Sequence, residues 1–260
     1  MDDLILRLAP ASLWLAILWC VETFVGAPAP NRFRHGFVNL SLAAINGVLL
    51  FFTFGALSIW VCTVSPVVTE SPFVFLHSVA CFFALDLFSY CWHRLNHSVP
   101  ALWRIHSVHH SDAQMDVTTA GRFHALEIAI GALLRLPVLY ALGVSTITLV
   151  AYETTLVLVS MFHHSKLNLG VYDWHFRLIT ASPLMHSIHH SCDPRDYGSN
   201  FSSVLSLWDR VFSTLRLTER PLKHGLEGSC PESLGSLVAR PFVADPNSAD
   251  NHPMHRSGGG

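Results

Sequence analysis

Three clusters of histidine stand out in this 260-residue chain: His93-Arg-Leu-Asn-His97, His106-Ser-Val-His109-His110 and His186-Ser-Ile-His189-His190. On a helix, positions three and four apart are neighbours, so each cluster can turn its rings toward a common point. Neutral imidazole is a ligand for Fe, Zn, Cu or Ni, and ring type alone does not choose among them. A catalytic zinc ion usually takes three protein ligands and a water. Eight rings therefore suit two ions of higher coordination number. None of the clusters contains the Glu of H-E-x-x-H, so the general base of a zinc protease is missing. One H-x-x-x-H by itself is a weak signal. Two H-x-x-H-H clusters together with it are a strong one.

Other residues fall into place around these. Asp86 and Tyr90 lie seven and three residues before His93 and share its helical stripe. Asp86 is thus placed to accept a ring N–H and orient a ligand. His124 and His164 lie at the two ends of an apolar region, at the depth expected for the metals, and are further candidate ligands. His163, adjacent to His164, cannot share its face. Glu153 lies eleven residues before His164, three turns away, and is expected beneath it in a polar core. His35, His77, His175, His224, His252 and His255 have no spacing partner and read as surface or interface residues. The six cysteines form no C-x-x-C pair and read as small apolar residues.

The elements that carry these residues are apolar. Hydrophobic residues make up 51% of the chain and charged ones 13%, against roughly 25% charged in a soluble domain, and mean hydropathy is +0.40. Net charge is −2, which gives no basic surface for nucleic acid. Apolar runs over about 8–26, 38–64 and 72–92 each have the length of a membrane helix, and the region from about 125 to 162 is long enough for two. Arg135, Pro137 and Gly143 interrupt that last region, which predicts a helical hairpin with Arg135 near its tip. Pro183 suits a helix start just before the third cluster. The expected fold is all-α: about three membrane helices, a hairpin and a histidine-rich cap. The arginines near the first turn and after the third helix place the cap in the cytoplasm and the turn near residue 68 outside. Trp103, Trp174 and Trp208 fit the water–lipid boundary, although Trp208 and Asp209 can instead pack beneath the metals. Arg104 and Arg122 can meet lipid phosphate or simply follow the charge rule. Three segments result: membrane helices over 1–71, the histidine-bearing domain over 72–226, and a polar tail over 227–260 lying loosely on the cap.

From Asp86 to Ser111 the sequence resembles the fatty acid hydroxylase / sterol desaturase superfamily, which shares the pattern D, Y, H-R-x-x-H, L-W-x-x-H-x-x-H-H-S. Thr119 to Glu127 is similar to a T-x-x-R-x-H-P-x-E segment, with Ala125 in place of Pro. Phe162 to Leu167 is similar to F-x-H-x-N-x, with Lys166 in place of Asn. Asn200 to Thr214 is similar to N-F-G-x-x-L-x-x-W-D-R-L-F-G-T, with Ser202 and Ser213 in place of two glycines. The resemblance implies two irons, with zinc able to substitute on overexpression. It also implies O₂-dependent hydroxylation or desaturation of a lipid in the bilayer. Electrons must then come from a separate NAD(P)H-linked reductase, since the sequence shows no dinucleotide, haem or iron–sulfur motif. A membrane metal transporter or metal-binding protein and a zinc-dependent membrane hydrolase are the rival readings.

Overall fold

A computed structural model describes residues 2–25, 31–66, 72–218, 222–226 and 233–243, with side chains from Pro10 onward. The residues described are helical, apart from loops and two isolated bridges, Thr180 with Leu205 and Ser191 with His224. The turn near residue 68 lies outside the described residues.

Helix α1 (Asp2–Val25) leads into a long rod made of α2 (Arg32–Leu49), a π-helical stretch (Leu50–Gly55) and α3 (Ala56–Val64). Next come α4 (Val74–Ser98) and α5 (Pro100–His110), with Pro100 opening α5 at a position where its missing N–H costs nothing. A 3-10 turn (Val117–Gly121) precedes the hairpin of α6 (Ala125–Leu142) and α7 (Thr146–His164). Gly143 closes α6 at φ 60, the left-handed conformation that lacks a Cβ penalty, and Ser145 caps α7 through Thr148 N. The cap holds the short helices α8 (Asp173–Arg177), α9 (Pro183–His189), α10 (Pro194–Tyr197) and α11 (Leu207–Val211). Last is α12 (Leu234–Ala239).

Among the described residues, four helical spans are long and apolar enough to cross a membrane: Arg32–Val64, Val74–Ser98, Ala125–Leu142 and Thr146–His164. In α1 the apolar stretch Pro10–Val25 is shorter. Large apolar side chains such as Phe52, Phe75, Leu133 and Ile147 point outward, as they do where lipid replaces water. Inward, Leu85, Leu139, Leu149 and Tyr152 form the packed centre between α4, α6 and α7.

Polar bonds tie α1 and α2 to the cap. Buried Glu22 pairs with Arg32 at 2.7 Å and accepts Val117 N–H at 3.0 Å and Lys166 N–H at 2.8 Å. His35 is no surface histidine: its Nε2 meets Asp112 at 2.8 Å, from α2 to the end of α5. The expectation of a loose tail is corrected over 233–243. Leu237 is fully buried against Leu42 and Val108, and Arg240 Nε donates to Ser107 Oγ at 3.2 Å.

Candidate metal centre

Helix ends bring the histidines together. His93 and His97 lie in the last turns of α4, His164 is the last residue of α7, α5 carries His106, His109 and His110, and α9 with its cap carries His186, His189 and His190. They form two groups, within each of which the candidate ligand atoms all lie within 4.8 Å of one another. One group is His93, His97, His106, His110 and His189. The other is His109, His164, His186 and His190. Each H-x-x-H-H cluster is thus divided. Its first and last rings, four apart, join one group, and the middle ring joins the other. Adjacent helical residues diverge by about 100°, so a consecutive pair such as His109 and His110 faces two different centres.

The ring bonds fix the tautomers. A carbonyl oxygen only accepts, so a ring nitrogen facing one carries the proton. His93 Nδ1 donates to Phe201 O at 2.9 Å and His189 Nδ1 to Ser199 O at 2.6 Å. Both Nε2 atoms are then lone pairs in the neutral rings, yet they sit 3.0 Å apart. The second group repeats this. His164 Nδ1 donates to Ser160 O at 2.7 Å and His109 Nδ1 to Arg122 O at 3.3 Å, with their Nε2 atoms 3.1 Å apart. Two lone pairs at that distance repel unless a cation lies between them. Burial also holds His109, His110, His186, His189 and His190 well below the ordinary histidine pKa, since it penalises the charged ring. Both nitrogens of His97 and of His110 are buried without a hydrogen-bond partner among the described residues, as is His106 Nε2. Such groups need an explanation, and a pair of metal ions fits this donor set.

A shell of bonds holds the rings. Glu127 on α6 accepts His106 Nδ1–H at 2.8 Å and Asn96 Nδ2–H at 3.1 Å. It is the carboxylate partner that sequence reasoning assigned to Asp86, and its place in the T-x-x-R-x-H-P-x-E segment was the available signal. Asp86 touches no histidine. It accepts Val204 N–H at 3.2 Å, Leu205 N–H at 3.0 Å and Trp208 Nε1–H at 2.8 Å. Asp209 accepts Phe201 N–H and Ser202 N–H, and Asn200, at φ 55, bridges Met185 O and Arg216. The N-F-x(7)-D stretch therefore pins the loop whose carbonyls orient His93 and His189. Ser202, where glycine is usual, receives Asp209 N–H on its hydroxyl. Ser213 takes φ 55, a conformation in which glycine would be unstrained.

His124 stands outside both groups. Its Nδ1 accepts Leu126 N–H at 3.1 Å, capping α6, and its Nε2 donates to Val238 O at 3.2 Å. With both nitrogens engaged, the ring offers no lone pair. His163, absent from the expected set, is buried with its ring 3.9 Å from that of His186. Trp103 is no boundary residue: it is buried and stacked on Tyr197. Nor does Arg122 meet lipid phosphate. It is buried and donates to Val108 O, Asn39 and Ser111, which fixes the backbone that receives His109.

A cavity of about 470 Å³ reaches the centre from between the spans. Its walls are largely apolar, with Leu50, Phe88, Trp92, Ile128, Leu156 and Met161 among them, and it is lined by His93 and His106 of one group and His109, His164 and His186 of the other.

Residues 78–214, more than half of the chain, match the Fatty acid hydroxylase family model. The chain belongs to this family. Its relatives include the ornithine lipid hydroxylase of Rhizobium tropici, 28% identical over 59% of this chain and 46% of its own length. The human alkylglycerol monooxygenase is 27% identical over 56% of this chain and 32% of its own length. Human cholesterol 25-hydroxylase is 24% identical over 59% and 57% respectively. The chain thus spans about half or less of the length of the first of these relatives. No solved structure matches it.

Proposed function

We propose that this protein is a membrane lipid hydroxylase that uses O₂ at two iron ions. The observation that carries the reading is the cavity. One apolar space is lined by rings of both histidine groups, so a lipid carbon could reach both groups at once. The five-ring group would hold one ion and the four-ring group the other. Bound there, the pair of irons supplies the oxidant that an unactivated C–H bond requires. The protein's own residues aim the rings, through Glu127 and the carbonyls of Ser160, Ser199 and Phe201. The cavity wall excludes water from the reacting carbon.

The named relatives are hydroxylases or monooxygenases, which favours hydroxylation over desaturation. A transporter is disfavoured because its sites lie near the bilayer midplane, whereas these rings gather at span ends. The arginine distribution supports a cytoplasmic position for the centre, where a separate electron-transfer protein would dock. With iron, a reductase system and extracted membrane lipid, the purified protein should consume O₂ and yield a product carrying one ¹⁸O from ¹⁸O₂. Product formed without O₂ or electron donor would sink the proposal and favour hydrolysis.

A further inference from the structure

The same cavity holds a second polar feature, away from the histidines. Arg135 on α6 and Glu153 on α7 form an ion pair across the hairpin, and both line the cavity. Arg135 is mostly buried and Glu153 partly exposed. Arg135 Nε is buried and has no hydrogen-bond partner among the described residues. Both residues lie inside candidate spans. Arg135 is eight residues along α6 from Glu127, and Glu153 is eleven along α7 from His164, about 12 Å and 16 Å of helix.

Ionisable residues within a span are costly, and their presence there marks function more often than architecture. Pinning the hairpin does not require charge, because apolar pairs of similar volume do that as well or better. The pair is neutral overall. It offers guanidinium donors, one of them unsatisfied, beside a carboxylate acceptor. A hydroxyl, which both donates and accepts, matches that set. An ionised carboxylate would gain Arg135 but meet the charge of Glu153.

We propose that Arg135 and Glu153 form a hydroxyl-binding subsite, which fixes a lipid by a polar group some 12–16 Å from the carbon at the metals. The substrate class is then a long lipid with a neutral hydroxyl remote from the oxidised position. The metal-proximal end of this statement rests on the lipid-oxidation reading; the subsite itself does not.

The test is binding, which an enzyme with no oxidase activity would still show. A tritiated long-chain primary alcohol, its methyl ether and the fatty acid of the same chain length are bound to the detergent-purified protein by scintillation proximity. The wild type should prefer the alcohol over both by about tenfold, the scale of a hydrogen bond to a charged group. In the double variant Arg135→Leu/Glu153→Leu the preference should fall to about twofold or less, with ether affinity retained. Should that variant fail to fold in a thermal melt, Arg135→Met/Glu153→Met, equally apolar but unbranched, gives the same readout. An unchanged preference in a folded variant, no preference in the wild type, or tightest binding of the fatty acid overturns the subsite.

Discussion

The two histidine groups use the same ring chemistry but are held differently. The five-ring group draws on α4, α5 and α9 and includes a charged brace, Glu127 on His106. The four-ring group takes one ring from α7 and the rest from α5 and α9, and the ring bonds described for it go to backbone carbonyls, Ser160 O and Arg122 O. Three of its four rings line the cavity, against two of five in the other group. The difference suggests a division of labour. The five-ring group would have a ligand to spare, and its His97 and His110 lie behind Trp103 and Tyr197. The other would have no ligand to spare, and three of its rings face the cavity.

Truncating rings is the strongest way to break this comparison. His164→Ala leaves three rings in its group, while His97→Ala leaves four in the other. Each first-contact loss should exceed the about 10–100-fold in affinity typical of changing a ligand's supporting partner. Metal analysis after a graded chelator challenge should show His164→Ala falling from two ions toward one at chelator levels that His97→Ala withstands. Equal losses would remove the distinction between the groups. Two full ions in both variants would remove the metal assignment itself.

Glu127→Gln sharpens the comparison from the other side. It leaves all nine rings in place and takes charge from one brace. Affinity should drop by about 10–100-fold at the five-ring site alone. Metal titration should turn from near-coincident filling into two separated steps, with the four-ring site filling first. A uniform weakening of both sites would show that Glu127 acts through the overall fold rather than through His106.

Much of this centre was legible in the sequence, and the reason is local geometry. Spacings of three and four residues need only a helix to become proximity, so the three clusters could be read directly, whereas His164 was placed by its position at the end of an apolar region. Pro183 at the start of α9 and Gly143 at the hairpin turn were readable for the same reason. The division of His109 from His110, and of His189 from His190, was not. The divergence of neighbouring rings is a property of one segment, whereas which rings each then meets is set by how four segments pack. Asp86 shows the same limit. Its place on the His93 stripe was correct, but a stripe does not reveal which neighbour arrives. The loop at 201–208 occupies its carboxylate before any ring can. Likewise the tail around Leu237 shows too short an apolar pattern to announce that it packs on α2 and α5.

Asp86→Asn tests the smallest step in this hierarchy, an effect passed through two bonds. Asp86 holds Val204, Leu205 and Trp208; that loop presents Phe201 O; and Phe201 O orients His93 in the five-ring group. An amide keeps one acceptor but loses the charge and turns a donor toward N–H groups that are themselves donors. Hydrogen bonds to a charged group are worth about 1.5–3 kcal/mol each, so the first consequence is a loss of stability on that order, seen as a lower Tm. Metal affinity should fall less than with Glu127→Gln, because His93 keeps a carbonyl partner and four other rings remain. The loss should be confined to the five-ring site, since Ser160 O and Arg122 O do not depend on this loop. A variant with unaltered Tm but metal loss matching Glu127→Gln would mean that Asp86 acts on the ions directly and that the loop is not the intermediary.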